Sequence, residues 1–162
     1  MYRPNTLARL GSSSESQRHQ ASIPIPQAVC NTALKEWVLT KHARAWKSYS
    51  GGKHTKCFFQ RTDEKWSKEL LAMDRSRIRK VVGAITGHCG LNKHLATMGL
   101  SNDPMCACGL GEETGIHLIC ECPKFLTLRQ KILGDRLMEP CEVSRLGPGI
   151  LHRFLAGTKR FK

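Results

Sequence analysis

Apolar residues in this chain recur mainly at helical spacing. From Gln27 to Ser48 the positions Val29, Ala33, Leu34, Trp37, Val38, Ala45 and Trp46 follow a 3.6-residue period, and Gly51-Gly52 stops the run. Trp66, Leu70 and Leu71 mark a second helix starting near Asp63. Asp74 is suited to cap a third, in which Ile78, Val81, Val82 and Ile85 form one stripe at i, i+3, i+4 and i+7. A short helix carrying Leu91, His94, Leu95 and Met98 ends at Gly99. Thr114 can cap a turn bearing Ile116, His117, Leu118 and Ile119. Pro123 then opens a helix with Phe125, Leu128 and Ile132 on one face and Gly134 at its end. Cys57-Phe58-Phe59 reads as a short apolar run in a loop or strand, and no stretch alternates with period 2 over a strand's length. The expected fold is mostly α, with Trp37 and Trp46 in its core.

The polar intervals divide the chain. Residues 11–27 are rich in Ser, Gln and Pro and bury too little apolar surface to fold alone, which makes 1–26 a flexible linker. Residues 27–134 form the expected helical domain. Residues 135–162 read as a basic tail, with at most one weak, fraying helix after Leu151. No apolar run approaches the length of a membrane span, and Met1-Tyr2-Arg3-Pro4 does not begin a secretory signal. An intracellular setting, nuclear or cytoplasmic, follows as the expectation, with eight cysteines kept reduced or bound to metal.

Charge narrows the partners. Twenty-six Lys and Arg against thirteen Asp and Glu leave a formal net charge of +13, which points to a polyanion. The excess is uneven: residues 101–125 hold Lys124 alone against Asp103, Glu112, Glu113 and Glu121. The cations gather elsewhere, above all on the third helix, as Arg75, Arg77, Arg79 and Lys80. A solvated polar face accounts for that helix as well as a phosphate-binding one does. Glu112 and Glu113 are adjacent and read as surface charge.

Chemistry concentrates within that acidic stretch. Cys106-Ala-Cys108, His117 and Cys120-Glu-Cys122 place four cysteines and a histidine in one short window. Two thiolate-bearing segments joined by a loop are what a tetrahedral zinc ion requires, and Cys106-x-Cys108-x8-His117-x4-Cys122 reads as a Cys3His site. A pair of disulfides or buried free thiols is the bland alternative. Within the metal reading, Cys120 can replace one ligand, and His88-Cys89 can approach from outside the window.

The run Ile85-Thr-Gly-His-Cys-Gly-Leu-Asn-Lys-His-Leu-Ala-Thr-Met-Gly-Leu100 carries a resemblance, together with Asp103-Pro-Met-Cys-Ala-Cys-Gly109, Glu112-Glu-Thr-Gly-Ile-His117 and Cys120-Glu-Cys-Pro123. It resembles the C-terminal region of the reverse transcriptase polyprotein of Jockey-like non-LTR retrotransposons, which follows the ribonuclease H domain and contains a zinc-knuckle-like motif. The resemblance extends more loosely from about Ile25 to Gly134, and Thr6–Ser12 is similar to the end of that ribonuclease H domain. It implies Zn2+ held by Cys106, Cys108, His117 and Cys122, with Cys106 one residue nearer its partner than the family's usual spacing. The carboxylate set that two-metal hydrolysis needs is absent, as is any polymerase motif, so no catalytic residue is expected.

The functional expectation is a zinc-stabilised, helical nucleic-acid-binding fragment with RNA or an RNA–DNA hybrid as partner. Lys53, Lys56, Arg61, Arg75, Arg77, Arg79 and Lys80 are its expected phosphate contacts, and no membrane is involved. A module docking other parts of the polyprotein, or a decayed open reading frame with no retained role, are the alternatives.

Overall fold

A computed structural model of the chain describes residues 24–161. The expected linker at 1–26 and the ribonuclease H-like turns at 6–12 lie almost wholly outside them. Among the described residues the regular elements are helices, and the one β feature is an isolated antiparallel bridge between Met105 and Glu112. The mostly α expectation holds.

Eight α-helices follow in order among the described residues: α1 (Gln27–Ser48), α2 (Lys53–Phe58), α3 (Glu64–Leu71), α4 (Arg75–Thr86), α5 (Asn92–Thr97), α6 (Leu126–Leu133), α7 (Pro140–Leu146) and α8 (Pro148–Gly157). The chain divides into two compact units between Val38 and Leu39, inside α1. In the first unit Val29, Leu34 and Trp37 are exposed, Trp37 by 59%, so the expected core position of that tryptophan is not observed. The helix forms, yet it buries none of its residues. Apolar periodicity signals a face able to pack, and it does not fix what packs there.

The second unit, residues 39–162, holds the core and the cysteine cluster. Caps fall where the sequence places them. The Asp63 carboxylate accepts the Trp66 N–H at 2.8 Å and opens α3; Asp74 accepts the Arg77 N–H at 3.0 Å and opens α4. That cap hydrogen bond, and secondarily the Arg77 guanidinium, hold the Asp74 carboxyl below its ordinary pKa. The α4 stripe is rotated from its expected setting: Val81, Ala84 and Ile85 are buried, whereas Val82 is exposed. Cys57-Phe58 closes α2 rather than a strand, because Phe58 must enter the core from a helix pinned to the end of α4. The pin is double: His54 Nδ1–H and the Thr55 hydroxyl donate to the Ile85 carbonyl oxygen at 2.8 and 3.4 Å. Trp46 is half-buried and donates its indole N–H to the Phe59 carbonyl oxygen at 3.0 Å.

The largest departure lies at the C-terminus. Residues 135–162 are not a basic tail: they supply α7 and α8, and α8 packs against α3, α4, α6 and α7. Gly147 sits at φ 80° before Pro148, a combination that starts a helix abruptly. Leu151, Phe154 and Leu155 recur at i, i+3 and i+4, and all three are fully buried. Each such burial stabilises by roughly 1.5–3 kcal/mol, which outweighs the fraying that position and charge alone imply. Phe154→Ala is therefore expected to cost about 3–5 kcal/mol in chemical denaturation. A frayed tail would give a change within about 0.5 kcal/mol.

Candidate metal centre

The first ligand pair rides on a tight knuckle. Asp103 accepts the Met105 N–H at 2.8 Å, Cys106 N–H reaches the Gly111 carbonyl oxygen at 2.8 Å, and Gly109 N–H closes a turn onto the Cys106 carbonyl oxygen at 2.9 Å. Gly109 adopts φ 77°, which suits glycine and lets Cys106 and Cys108 share one turn despite a single intervening residue. Beyond the knuckle, Gly115 passes so close to the end of α4 that a Cβ there would stand 2.0 Å from the Ala84 carbonyl oxygen. The chain then enters a helical turn capped by Thr114, whose hydroxyl accepts the His117 N–H at 3.0 Å.

That turn is π-helical over His117–Glu121 and is closed by the Cys122 N–H on the His117 carbonyl oxygen at 2.7 Å. In an α-helix a residue five positions on lies about 140° round the axis, facing away. The wider i→i+5 turn brings His117 and Cys122 to one side, which is how a His-x4-Cys spacing serves one ion.

The ligand atoms of Cys106, Cys108, His117 and Cys122 all lie within 4.8 Å of one another. Cys106 Sγ and Cys122 Sγ stand 3.8 Å apart, and Cys108 Sγ is 3.2 Å from His117 Nε2. A tetrahedral ion with metal–sulfur bonds near 2.3 Å sets sulfur–sulfur edges of about 3.8 Å and sulfur–nitrogen edges of about 3.5 Å. The group therefore fits one such ion. The sulfurs are too far apart for a disulfide, whose bond is about 2.05 Å, and all eight cysteines are free. His117 Nδ1 faces a Glu121 carboxylate oxygen at 3.4 Å, which favours a proton on Nδ1 and leaves Nε2 to ligate.

Burial pushes the thiols of Cys106 and Cys122 up, the latter to about 12. Cys108 is lowered to about 7, first by the Leu110 N–H donating to its sulfur and further by His117. In the metal-free fold at pH 7, Cys106 and Cys122 are thus protonated, whereas Cys108 gives up its proton most readily of the three. Loading must expel about two to three thiol protons at that pH, so apparent metal affinity falls as pH falls and keeps rising above neutrality. Competition titrations between pH 6 and 8 should show log affinity changing by about two to three units per pH unit. A pH-independent affinity would contradict thiolate ligation.

The alternative ligands lie elsewhere. Cys120 is buried in the apolar core beside Leu118 and Ile119, its thiol raised by burial to about 12, and it behaves as a small hydrophobe. Cys89 packs at the end of α4, where a Cβ on Gly83 would approach its Cβ to 3.1 Å, and burial raises its thiol to about 11.

Two buried ionic groups around the centre were not legible as such. Arg129 is completely buried in α6: its Nε donates to the Ile119 carbonyl oxygen at 2.6 Å, one Nη to the Cys122 carbonyl oxygen at 2.8 Å, and the other to that of Arg136. It thereby bonds the Ile119 carbonyl within the π turn and gives that of Cys122, which also accepts the Phe125 N–H at 3.2 Å, a second donor. Its position among Phe125, Leu128, Ile132 and Leu133 on the apolar face was the available signal. Glu113 is not surface charge but buried. It accepts a two-pronged contact from Arg160 at 2.7 and 2.5 Å, and the Asn92 N–H at 2.9 Å. Lys93 pairs with Glu112 at 2.7 Å.

The seven expected phosphate contacts are not gathered in one place. Lys56 is used internally: its ammonium donates to the Tyr49 carbonyl oxygen and stands 5.4 Å from the Trp46 ring. Arg77 pairs with Asp74 at 2.7 Å. Lys53 and Arg61 are exposed, and Arg61 lines a groove with Asp63 and Glu64. Arg75, Arg79 and Lys80 border a separate concavity.

The fold and its clustered side chains define a helical module carrying a Cys3His group that could hold a metal ion. The chain is similar to the retrovirus-related Pol polyprotein from type-1 retrotransposable element R1 3 of Nasonia vitripennis, with 30% identity over 107 residues, covering 62% of this chain and 25% of that polyprotein. It is also 47% identical over 45 residues to the Pol polyprotein from type-1 retrotransposable element R1 of Bradysia coprophila, covering 28% of this chain and 4% of that one. The chain thus spans about a quarter of the length of the first relative. No family model and no solved structure matches it. These relatives support a retrotransposon Pol polyprotein; the Jockey-like C-terminal placement is finer than they carry.

Proposed function

We propose that the chain is a zinc-stabilised nucleic-acid-binding module of a non-LTR retrotransposon polyprotein, corresponding to its region after ribonuclease H. Zinc is the proposed metal because three thiolates and an imidazole in a tetrahedral arrangement suit it. With four protein ligands the shell is closed, so the ion is structural and the module has no catalytic role. The cited R1 relatives support the polyprotein context.

The observation that carries the binding reading is how the charges are spent. Three of the four acids of the knuckle stretch face a basic side chain within the fold, Glu112 against Lys93, Glu113 against Arg160 and Glu121 against His117, and Asp103 caps the Met105 N–H. The ion pairs among the described residues leave Lys53, Arg61, Arg75, Arg79 and Lys80 without an acidic partner. RNA or an RNA–DNA hybrid is the proposed partner, in a nuclear or cytoplasmic setting. Gel-shift titration from 50 to 200 mM salt is expected to give a log–log slope near −3.5 for five phosphate contacts on a single strand, with little sequence preference. Absence of binding at the lowest salt would contradict the reading. Docking to other parts of the polyprotein is the second reading, supported by α1, which buries none of its residues. No helix among the described residues is long and apolar enough to cross a membrane.

A further inference from the structure

The C-terminal segment and the region 88–100 flank a cleft of about 710 Å3 together with Arg79 and Lys80 in the middle of α4. Arg79, Lys80, Lys159 and Arg160 line it, and no Asp or Glu does. Arg160 is committed to Glu113, which leaves Arg79, Lys80 and Lys159 as its unpaired cations. Arg79 and Lys80 also border the neighbouring concavity that reaches Arg75 and Ser76, so the basic surface continues along α4. The cleft is not purely ionic. The rings of His88 and His94 meet edge to face at 5.3 Å on one wall, and Phe161 lies on another. Met98 and Leu100, exposed by 58% and 69%, are apolar residues left open to solvent at its margin.

Resting on the nucleic-acid reading above, we infer that this cleft, and not the cysteine knuckle, is the binding site, and that it takes a single strand with one or more bases turned inward. Cations without acidic neighbours track a phosphate backbone, while flat imidazole and phenyl faces with an apolar margin receive unstacked bases. A duplex presents phosphates on a convex cylinder and keeps its bases stacked, so it could use the cations but not the walls. The volume lies within the roughly 300–1,000 Å3 usual for ligand sites and so admits a short stretch of strand. The positive field is also registered nearby: burial first, and then Arg77 and Lys80, lower the pKa of His152 on α8. Sequence reading assigned Lys159 and Phe161 to a frayed tail, which hid their convergence with α4.

The test is fluorescence anisotropy with a labelled 12-nucleotide uridine RNA and the metal-loaded full chain, at 50 mM salt and above. Lys80→Glu/Lys159→Glu is expected to weaken binding at least tenfold and to reduce the salt slope by about 1.4. Phe161→Ala should weaken it about tenfold with the salt slope unchanged, a separation that loss of charge alone does not produce. Lys131→Glu/Arg145→Glu makes the same change in net charge at exposed positions outside the cleft and should cost less than threefold. Each variant is first matched to the wild type in metal content and thermal unfolding. Equal losses in the two double variants would overturn the cleft while leaving nucleic-acid binding intact, and a duplex bound as tightly as the single strand would overturn its strand preference. No binding by the wild-type chain would overturn this inference together with the reading beneath it.

Discussion

Chelation of the metal is expected to abolish cooperative thermal unfolding of the 39–162 unit, or to lower its midpoint by tens of degrees, and added zinc should restore it. The reason is where the ligands sit. Cys106, His117 and Cys122 are all buried, and the turn that carries two of them contributes Leu118 and Ile119 to the apolar core. Without an ion, three polar groups remain in a poorly solvated pocket and the knuckle is tied to the turn only by weak sulfur contacts. Structural zinc contributes about 10–16 kcal/mol of binding free energy in small zinc-finger peptides, a scale comparable to the whole stability of a domain, roughly 5–15 kcal/mol. The helical core here is larger than a finger's, so part of the secondary structure should survive chelation while the sharp transition does not. Circular dichroism melts with and without a chelator read this directly. Superimposable melts would show that the centre contributes nothing to the fold.

Replacing Arg129 with alanine should be nearly as damaging, although Arg129 is not a ligand. The substitution removes the guanidinium donors to the carbonyls of Ile119 and Arg136 and one of the two donors to that of Cys122, which keeps the Phe125 N–H. A buried unsatisfied acceptor costs about 1–3 kcal/mol, and a cavity of the arginine's size adds to it, so a loss of about 3–5 kcal/mol in urea denaturation is expected. Charge adds to the effect in the loaded state. One Zn2+ with three thiolates and a neutral imidazole carries a net negative charge, which the buried guanidinium beside Cys122 balances. Burial lowers the Arg129 pKa, and the nearby cysteines act in the opposite sense. Arg129→Lys should recover only part of the loss, because a point ammonium cannot reproduce the planar fork that reaches three carbonyls. Full stability in Arg129→Ala would mean that these carbonyls find water or other donors.

Local signals carried much of the fold. Asp63, Asp74 and Thr114 cap the turns they precede, and Gly134 ends α6 in the left-handed region at φ 99°, because capping and chain reversal are decided within a few residues. The clustering of Cys106, Cys108, His117 and Cys122 was legible for a similar reason, since soft donors in two short segments have few other uses. What escaped was decided by contacts between distant parts of the chain. The periodicity of Leu151, Phe154 and Leu155 was visible, but a cationic C-terminus weighed against it, and only packing on four other helices makes α8 central. Glu113 looked like surface charge, and nothing in the sequence singled out Arg129, because sequence does not reveal which carbonyls or partner charges await them inside. Trp37 erred in the opposite direction, from an apolar face whose burial the sequence could not guarantee.

The central claim is that Cys106, Cys108, His117 and Cys122 together hold one zinc ion. Native mass spectrometry of the purified chain, paired with elemental analysis, measures this without reference to any activity. One zinc per chain is predicted for the wild type and for Cys120→Ala and Cys89→Ala, with loss of bound zinc in Cys108→Ser and His117→Ala. A chain that carries no metal after purification in zinc-replete buffer, or a stoichiometry that Cys108→Ser and His117→Ala leave unchanged, would contradict it.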